Sequence, residues 1–174
     1  LDFDDEDGVT FTSPLVPGQM AYIDVSVTNS TFAPALNGFL DAWIDFDHNG
    51  VFDLSDQIFL GVPVFDGPNP IPPFLVPIDA VSGDTYARFR LSSQGGLDST
   101  GGYPGAGPSA PLPDGEVEDY LVEITSLDFG DAPDSYGTTG PSSAYHMIIT
   151  DDQSVPELCL GVAVDSDVDG QPSP

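Results

Sequence analysis

Residues 45–56 read "DFDHNGVFDLSD", and their oxygens fall on the spacing of a calcium loop. With Asp45 as position 1, Asp47 stands at 3, Asn49 at 5, Gly50 at 6, the Val51 carbonyl at 7, Asp53 at 9 and Asp56 at 12. Carboxylates, an amide and a backbone carbonyl are hard donors, and the glycine permits the sharp turn that wraps them around one ion. Position 12 is aspartate rather than glutamate, as in dockerin-like loops, and the flanks read as strands. This predicts an EF-like loop on a β-hairpin, without the helix pair that an opening sensor needs. The many oxygens and the flexible loop favour Ca2+ over magnesium, and the lack of clustered cysteine and histidine disfavours zinc. The plain alternative is a solvated acidic turn, since Asp, Asn and Gly favour turns for local reasons. Six positions in register favour the metal. His48 falls at a non-ligating position and is expected to face solvent.

Other carboxylates form looser sets. "DFDDEDG" at the start supplies Asp4, Asp5 and Asp7, and "DSDVDG" near the end supplies Asp165, Asp167 and Asp169 in another 1-3-5-6 register without a position 12. In "GEVED", Glu116 and Glu118 share a strand face and could complete a site with the first cluster across strands, with Asp119 beside them. The competing reading pairs Glu118 or Glu123 with Arg88 or Arg90. "GDAPDS" offers Asp128, Asp131 and Asp134 as a tight turn or a junction ligand set. Each terminal cluster reads equally well as a metal site or a solvated tail.

Catalytic constellations are weak. His146 with Ser142, Ser143, Asp151 and Asp152 imitates a triad, but nothing fixes a nucleophile elbow or an oxyanion hole. Carboxylate pairs are so abundant that they carry no glycosidase signal. The chain is therefore read as not an enzyme. Trp43, Tyr103, Tyr136 and Tyr145 could serve a carbohydrate- or ligand-binding face, although Trp43 alternates with core-type residues. Cys159 lies in the apolar run "LCLGVAV" and is expected to be buried as a small hydrophobe.

The positioning elements follow from composition and period. The chain has 174 residues, 29 acidic against 2 basic, a formal charge of -27 and 40% hydrophobic residues. That apolar content supports a core, while the charge disfavours nucleic acid and anionic membrane and repels the folded chain from itself unless cations intervene. Both basic residues are arginines, so no lysine is present to form isopeptide staples, and one cysteine excludes an internal disulfide. Neither a spanning helix nor a signal peptide is read, and a soluble chain without membrane insertion is expected.

Eighteen prolines and 19 glycines interrupt any helical period, which implies an all-β chain. "MAYIDVSVTN" alternates Ala21, Ile23, Val25 and Val27 against Tyr22, Asp24, Ser26 and Thr28. Further strands are expected in "GVTFT", "GFLDAWIDF", "DQIFLGVPV", "FLVPIDAV", "TYARFRLS" and "EDYLVEI". Seven short strands suggest an immunoglobulin-like β-sandwich over residues 1–125. Ser92 to Gly115 reads as a long loop, expected to act as a mobile flap. The character changes near Ser126, so residues 126–174 form a second, turn-rich β module or arm holding the apolar strand "LCLGVAV" and an acidic tail.

"GEVEDYLVEI", together with "LDAWIDFDHNGVFD" and "TYARFRLS", resembles the GEVED domain over most of residues 1–125. The resemblance implies an extracellular β-sandwich of secreted or surface proteins of bacteria, without an established enzymatic activity. "DFGDAPDSYGT", "AYH" and "LGVAVDSDVDGQP" resemble a unit that alternates with this domain in repetitive surface proteins. Since "DGQP" runs on to "DDEDGVTF" in such arrays, the chain resembles one period of a repeating polymer. The expected function is a calcium-stabilised structural repeat or subunit of an extracellular bacterial fibre or adhesin stalk. Its partners are copies of itself in a linear assembly or tandem array, joined covalently or by β-strand addition of the 158–164 run. The alternative is an extracellular carbohydrate- or ligand-binding module. Asn29 opens an "NST" sequon and is a candidate glycan site.

Overall fold

Alternating apolar and polar side chains demand an extended chain with one dry face, and the strands form where that pattern occurs. The computed structural model describes residues 7–28, 38–105, 113–130, 132–137, 144–149, 157–164 and 166. In chain order the strands are β1 (Val9–Phe11), β2 (Met20–Ala21), β3 (Ile23–Val27), β4 (Gly38–Ile44), β5 (Gln57–Val64), β6 (Gly67–Asn69), β7 (Phe74–Leu75), β8 (Gly83–Ser92), β9 (Glu116–Ile124), β10 (Leu127–Phe129) and β11 (Tyr145–Met147). Among the described residues there is no α-helix, only a 3-10 turn at Asp134–Tyr136.

The chain is all-β. One antiparallel sheet has the order β5-β4-β8-β9; the others are β1-β3-β6, β2-β7 and β10-β11. Ala21, Ile23 and Val25 from the smaller sheets pack with Leu40, Ala42, Ile44, Phe59, Ala87 and Phe89 from the large sheet in one core. This layering is compatible with the expected immunoglobulin-like sandwich. Burial of each of the Leu, Ile, Val and Phe side chains among them contributes roughly 1.5–3 kcal/mol, and each Ala less.

β4 is unusual in being buried on both faces, from Leu40 through Ile44. Its inner residues meet the core, while Asp41 and Trp43 point into the opposite layer. That layer is the segment after β8. The register slips between β4 and β5 beside Asp41, and a bulge leaves a backbone N–H without a ladder partner. Asp41 repairs it: its carboxylate, 0% exposed, accepts from Gly61 N at 2.6 Å, Gly96 N at 3.2 Å and Leu97 N at 3.0 Å. Gly95 admits the close approach, since a Cβ there would lie 2.6 Å from Phe39 Cβ and its φ is +67°.

The expected mobile flap is therefore corrected for Ser93–Gly102. Arg90 donates to the carbonyls of Asp98 at 2.6 Å and Gly101 at 3.4 Å, and Arg88 donates to that of Ser99 at 3.1 Å. Leu97 is fully buried beneath them.

Three other expectations change. "FDGPNPIPP", read as a turn, contains β6, where Asn69 lends strand-like order by bonding Phe65 and Gly67. "FLVPIDAV" yields only the two residues of β7, because Pro77 ends the donor pattern. "LCLGVAV" is not a strand: no partner edge pairs with it among the described residues, and it bends at Gly161, where φ is +90°. Cys159 is half-buried rather than buried. Beyond Ser126, β10 and β11 pair, and Leu127, Phe129 and Tyr145 pack on Val16.

Replacing Asp41 by alanine strands three N–H groups at once, so a loss of roughly 3–5 kcal/mol is expected. Urea unfolding and limited proteolysis check it. A loss under about 1 kcal/mol, with the 93–102 segment as protease-resistant as before, would contradict the role given to Asp41.

Candidate metal site

β4 ends at Ile44 and β5 begins at Gln57, so the intervening hairpin carries the twelve-residue acidic loop. Its two ends are fixed by strand geometry. Asp45 N donates to Tyr86 O at 3.1 Å, Thr85 Oγ1 donates to Asp45 O at 2.8 Å, and Ile44 N donates to Asp56 O at 3.0 Å. Asp45 and Asp56 are consequently buried, Asp56 to 2% exposure.

Between these ends the chain turns on its own polar groups. The Asp45 carboxylate accepts from Asn49 N at 3.1 Å and Gly50 N at 2.9 Å, and Asp47 accepts from Asn49 N at 3.1 Å. Gly50 has a φ of +78°, the left-handed conformation that the sharp turn requires. Asn49 Oδ1 accepts from Val51 N at 2.7 Å. Asp56 accepts from Phe46 N at 3.1 Å and Asp53 N at 3.0 Å, which ties the end of the loop to its start.

One oxygen from each of Asp45, Asp47 and Asp56 lies within 4.8 Å of the others. At such a separation a partly buried carboxylate pair repels by roughly 3 kcal/mol at an effective dielectric near 20. A divalent cation removes that penalty. The donor set is all oxygen, two of its members are shielded, and this suits a hard cation. Asp53 is outside the trio: its carboxylate accepts from Ser55 N at 2.7 Å, consistent with position 9 acting through water. Val51 and Asn49 are exposed on the loop.

Two carboxyls depart from ordinary values in opposite senses. Burial pushes the Asp56 carboxyl up, aided by the charges of Asp53 and Asp45 and opposed by the two N–H donors. The Ser55 hydroxyl and N–H hold the Asp53 carboxyl below its usual range.

His48 corrects an expectation. Expected to face solvent, it is half-buried with φ +55°, and its Nε2 is enclosed without a hydrogen-bond partner among the described residues.

The other expected ligands separate. Asp4, Asp5, Asp165, Asp167 and Asp169 lie outside the described residues, as do Asn29, Asp131, Ser142, Ser143, Asp151 and Asp152. Asp7, Glu116 and Glu118 line one cavity of about 240 Å³ beside β1, β3 and β9, but their oxygens do not converge as those of Asp45, Asp47 and Asp56 do. Glu118 is a brace there. Its oxygens accept from Gly8 N at 3.3 Å and from the Tyr120 hydroxyl at 2.8 Å, and Tyr120 Oη in turn accepts from Val9 N at 3.0 Å. Burial and Glu118 push the Tyr120 phenol up, so it stays protonated.

Asp119 leaves the ligand set. It stands directly opposite Arg88 and accepts from its Nε at 2.7 Å and its Nη2 at 2.5 Å. The expected pairing with Glu118 or Glu123 fails on register, because Glu118 stands opposite Phe89 and Glu123 opposite Asp84. Arg90 instead approaches Asp98 at 3.9 Å. Burial works against ionising Asp98, but the N–H groups of Gly101 and Thr100 outweigh it and hold the carboxyl low. Sequence reasoning missed Asp41, Thr85 and Phe52, whose carbonyl accepts from Ser99 Oγ at 2.7 Å and whose ring lies 5.2 Å from the Arg88 guanidinium. Asp41 alone left a signal, a charge amid the apolar residues of "FLDAWI".

Residues 39–123 match the model of the GEVED domain. No curated protein and no solved structure matches the chain. The motif has a physical reading in this chain. Gly115 has φ +101°, and a Cβ there would fall 2.0 Å from Leu91 O; Glu118 braces β1, and Asp119 binds Arg88.

Asp47→Ala removes one of the three convergent oxygens without touching a buried group, so a fall in calcium affinity of about tenfold or more, with little change in the metal-free melting temperature, is expected. Asp56 has a raised folded-state pKa, so its ionised form opposes folding at neutral pH and that penalty vanishes as pH falls through the raised value. Calcium held by the trio would relieve the same penalty, and the calcium-dependent rise in melting temperature should then shrink as pH falls toward the ordinary carboxylate range. Calorimetry and melting scans with and without calcium check both. An increment independent of pH would contradict the part assigned to Asp56.

Proposed function

We propose, on the premise of the GEVED match, that this chain is a calcium-stabilised structural repeat or subunit of an extracellular fibre or adhesin stalk. The observation that carries the reading is the convergence of Asp45, Asp47 and Asp56 from the two ends of one hairpin. In the metal-free chain their mutual repulsion opposes the ordered loop, and an ion that binds only the ordered state stabilises it by mass action. Calcium would be held by these three carboxylates, with Asn49, the Val51 carbonyl and Asp53 completing the shell, and the chemistry it supplies is charge neutralisation. The role is mechanical rather than catalytic.

Supporting this reading are a formal charge of -27 with two cations to offset it, and the commitment of both arginines to the sheet's outer layer. No helix among the described residues is long and apolar enough to cross a membrane. The ligand-binding alternative loses its main aromatic, since Trp43 is buried. Copies of the chain are the proposed partners, joined in tandem or by strand addition.

Calcium added to the EDTA-stripped protein at about 100 times its dissociation constant should stabilise it by roughly 2.7 kcal/mol, which corresponds to roughly 5–10 °C in melting temperature. Light scattering and electron microscopy in the same titration should show longer, stiffer particles. Magnesium at equal concentration should do less. Saturable binding that leaves particle length unchanged would sink the assembly reading; no binding would sink both.

A further inference from the structure

β5 lies at the edge of the large sheet and, among the described residues, pairs with β4 alone. Along it runs a groove of about 410 Å³, bounded by Phe46, Ile58, Leu60, Val62 and Leu75. That volume is more than twice the ~150 Å³ of a cavity that takes up benzene, so it has room for several aliphatic side chains. The only polar side chains in its lining are Ser55 and Gln57, and none is charged. In a chain with 29 acidic residues that is a rare surface. Two copies repel each other almost everywhere, and contact is cheapest where neither side brings charge.

The same chain displays a matching segment. Residues 158–164, "LCLGVAV", carry no charge, and Leu158, Leu160 and Val162 are 92%, 101% and 103% exposed. Large and small residues alternate along it: Leu158, Leu160, Val162 and Val164 against Cys159, Gly161 and Ala163. In an extended chain the four large side chains share one face. The bend at Gly161 is no obstacle, since glycine passes freely between its left-handed and extended conformations. The opposite sheet edge, β9, is a worse acceptor because Glu116, Asp119 and Glu123 are exposed along it.

We propose that residues 158–164 of a second copy add as a strand along β5, with Leu158, Leu160, Val162 and Val164 seated in the groove. This rests on reading the chain as a subunit of a linear assembly, and it identifies the acceptor. An unprotected edge is covered and an exposed apolar run is buried in one step.

The test uses the full chain carrying Leu158→Asp, Leu160→Asp and Val162→Asp, which disables its own run at positions already exposed, so the fold should persist. A peptide of residues 157–164 should bind it one to one, protect amides of β5 from hydrogen exchange, and lose about tenfold or more in affinity when it carries Leu160→Asp. In a Cys159→Ser chain, Leu60→Cys, or Ile58→Cys for the other register, should oxidise with a Leu160→Cys on the groove-facing side of the run into an intermolecular ladder that is lost when Leu160 is retained. No binding at millimolar peptide, protection on β9 instead of β5, or a disulfide closed within one chain would overturn the proposal. A failed peptide arm beside intact calcium-dependent lengthening overturns this acceptor alone; bound peptide beside an absent calcium response supports the acceptor and counts against the calcium reading alone.

Discussion

Everything in the described sandwich depends on β4 being covered twice. Its inner side chains Leu40, Ala42 and Ile44 build the core, and its outer ones, Asp41 and Trp43, are buried too, Asp41 beneath the segment after β8. A carboxylate at the centre of that outer layer would be costly to bury unless its oxygens were fully used. Three backbone donors use them, two of them from the covering segment itself. The covering segment is thus held by the charge it hides. The two arginines extend the same layer outward, one over the carbonyls of Asp98 and Gly101 and the other between Asp119 and the Phe52 ring. Since Phe52 belongs to the acidic loop, the loop is fastened to the layer that β4 organises.

Electrostatics sharpen this division. With 29 acidic residues and two basic ones, side-chain cations can satisfy very few carboxylates. Several of the others rely on backbone N–H groups, as Asp41, Asp45, Asp56 and Asp98 do. Backbone donors stabilise a carboxylate locally but add no net positive charge, so the long-range repulsion remains. An external cation can reduce both, and the hairpin between β4 and β5 is where three carboxylates converge.

Local features were legible in the sequence and long-range ones were not. The loop spacing from Asp45 to Asp56 lies within twelve residues, and the structure closes the loop on Asp45 and Asp56 as that spacing requires. Alternation over residues 21–27 named the buried face. The role of Asp41 was hidden because its donors lie 20, 55 and 56 residues away and depend on a bulge that no local pattern announces. Whether Glu118 or Asp119 meets Arg88 turns on a register shift of one residue, which flips every side chain. "LCLGVAV" was read as a strand from its apolarity, yet a strand also needs an edge to pair with. Sequence composition speaks to the first condition and is silent on which chain supplies the second.

The proposed calcium loop and the proposed acceptor groove are not independent surfaces. Phe46 lines the groove while its N–H donates to Asp56, and Ser55 and Gln57, on either side of Asp56, line it too. An ion that holds Asp45, Asp47 and Asp56 together would fix the backbone on both sides of that carboxylate, and with it one wall of the groove. A strand seated against Phe46 would in turn favour the loop conformation that binds the ion. Coupling of this kind is reciprocal by thermodynamic necessity, so each event strengthens the other by the same factor. On this reading calcium does more than stiffen a finished joint: it orders the surface on which the joint forms, and a highly acidic chain stays dispersed until the ion that screens its charge has also shaped the uncharged groove beside β5.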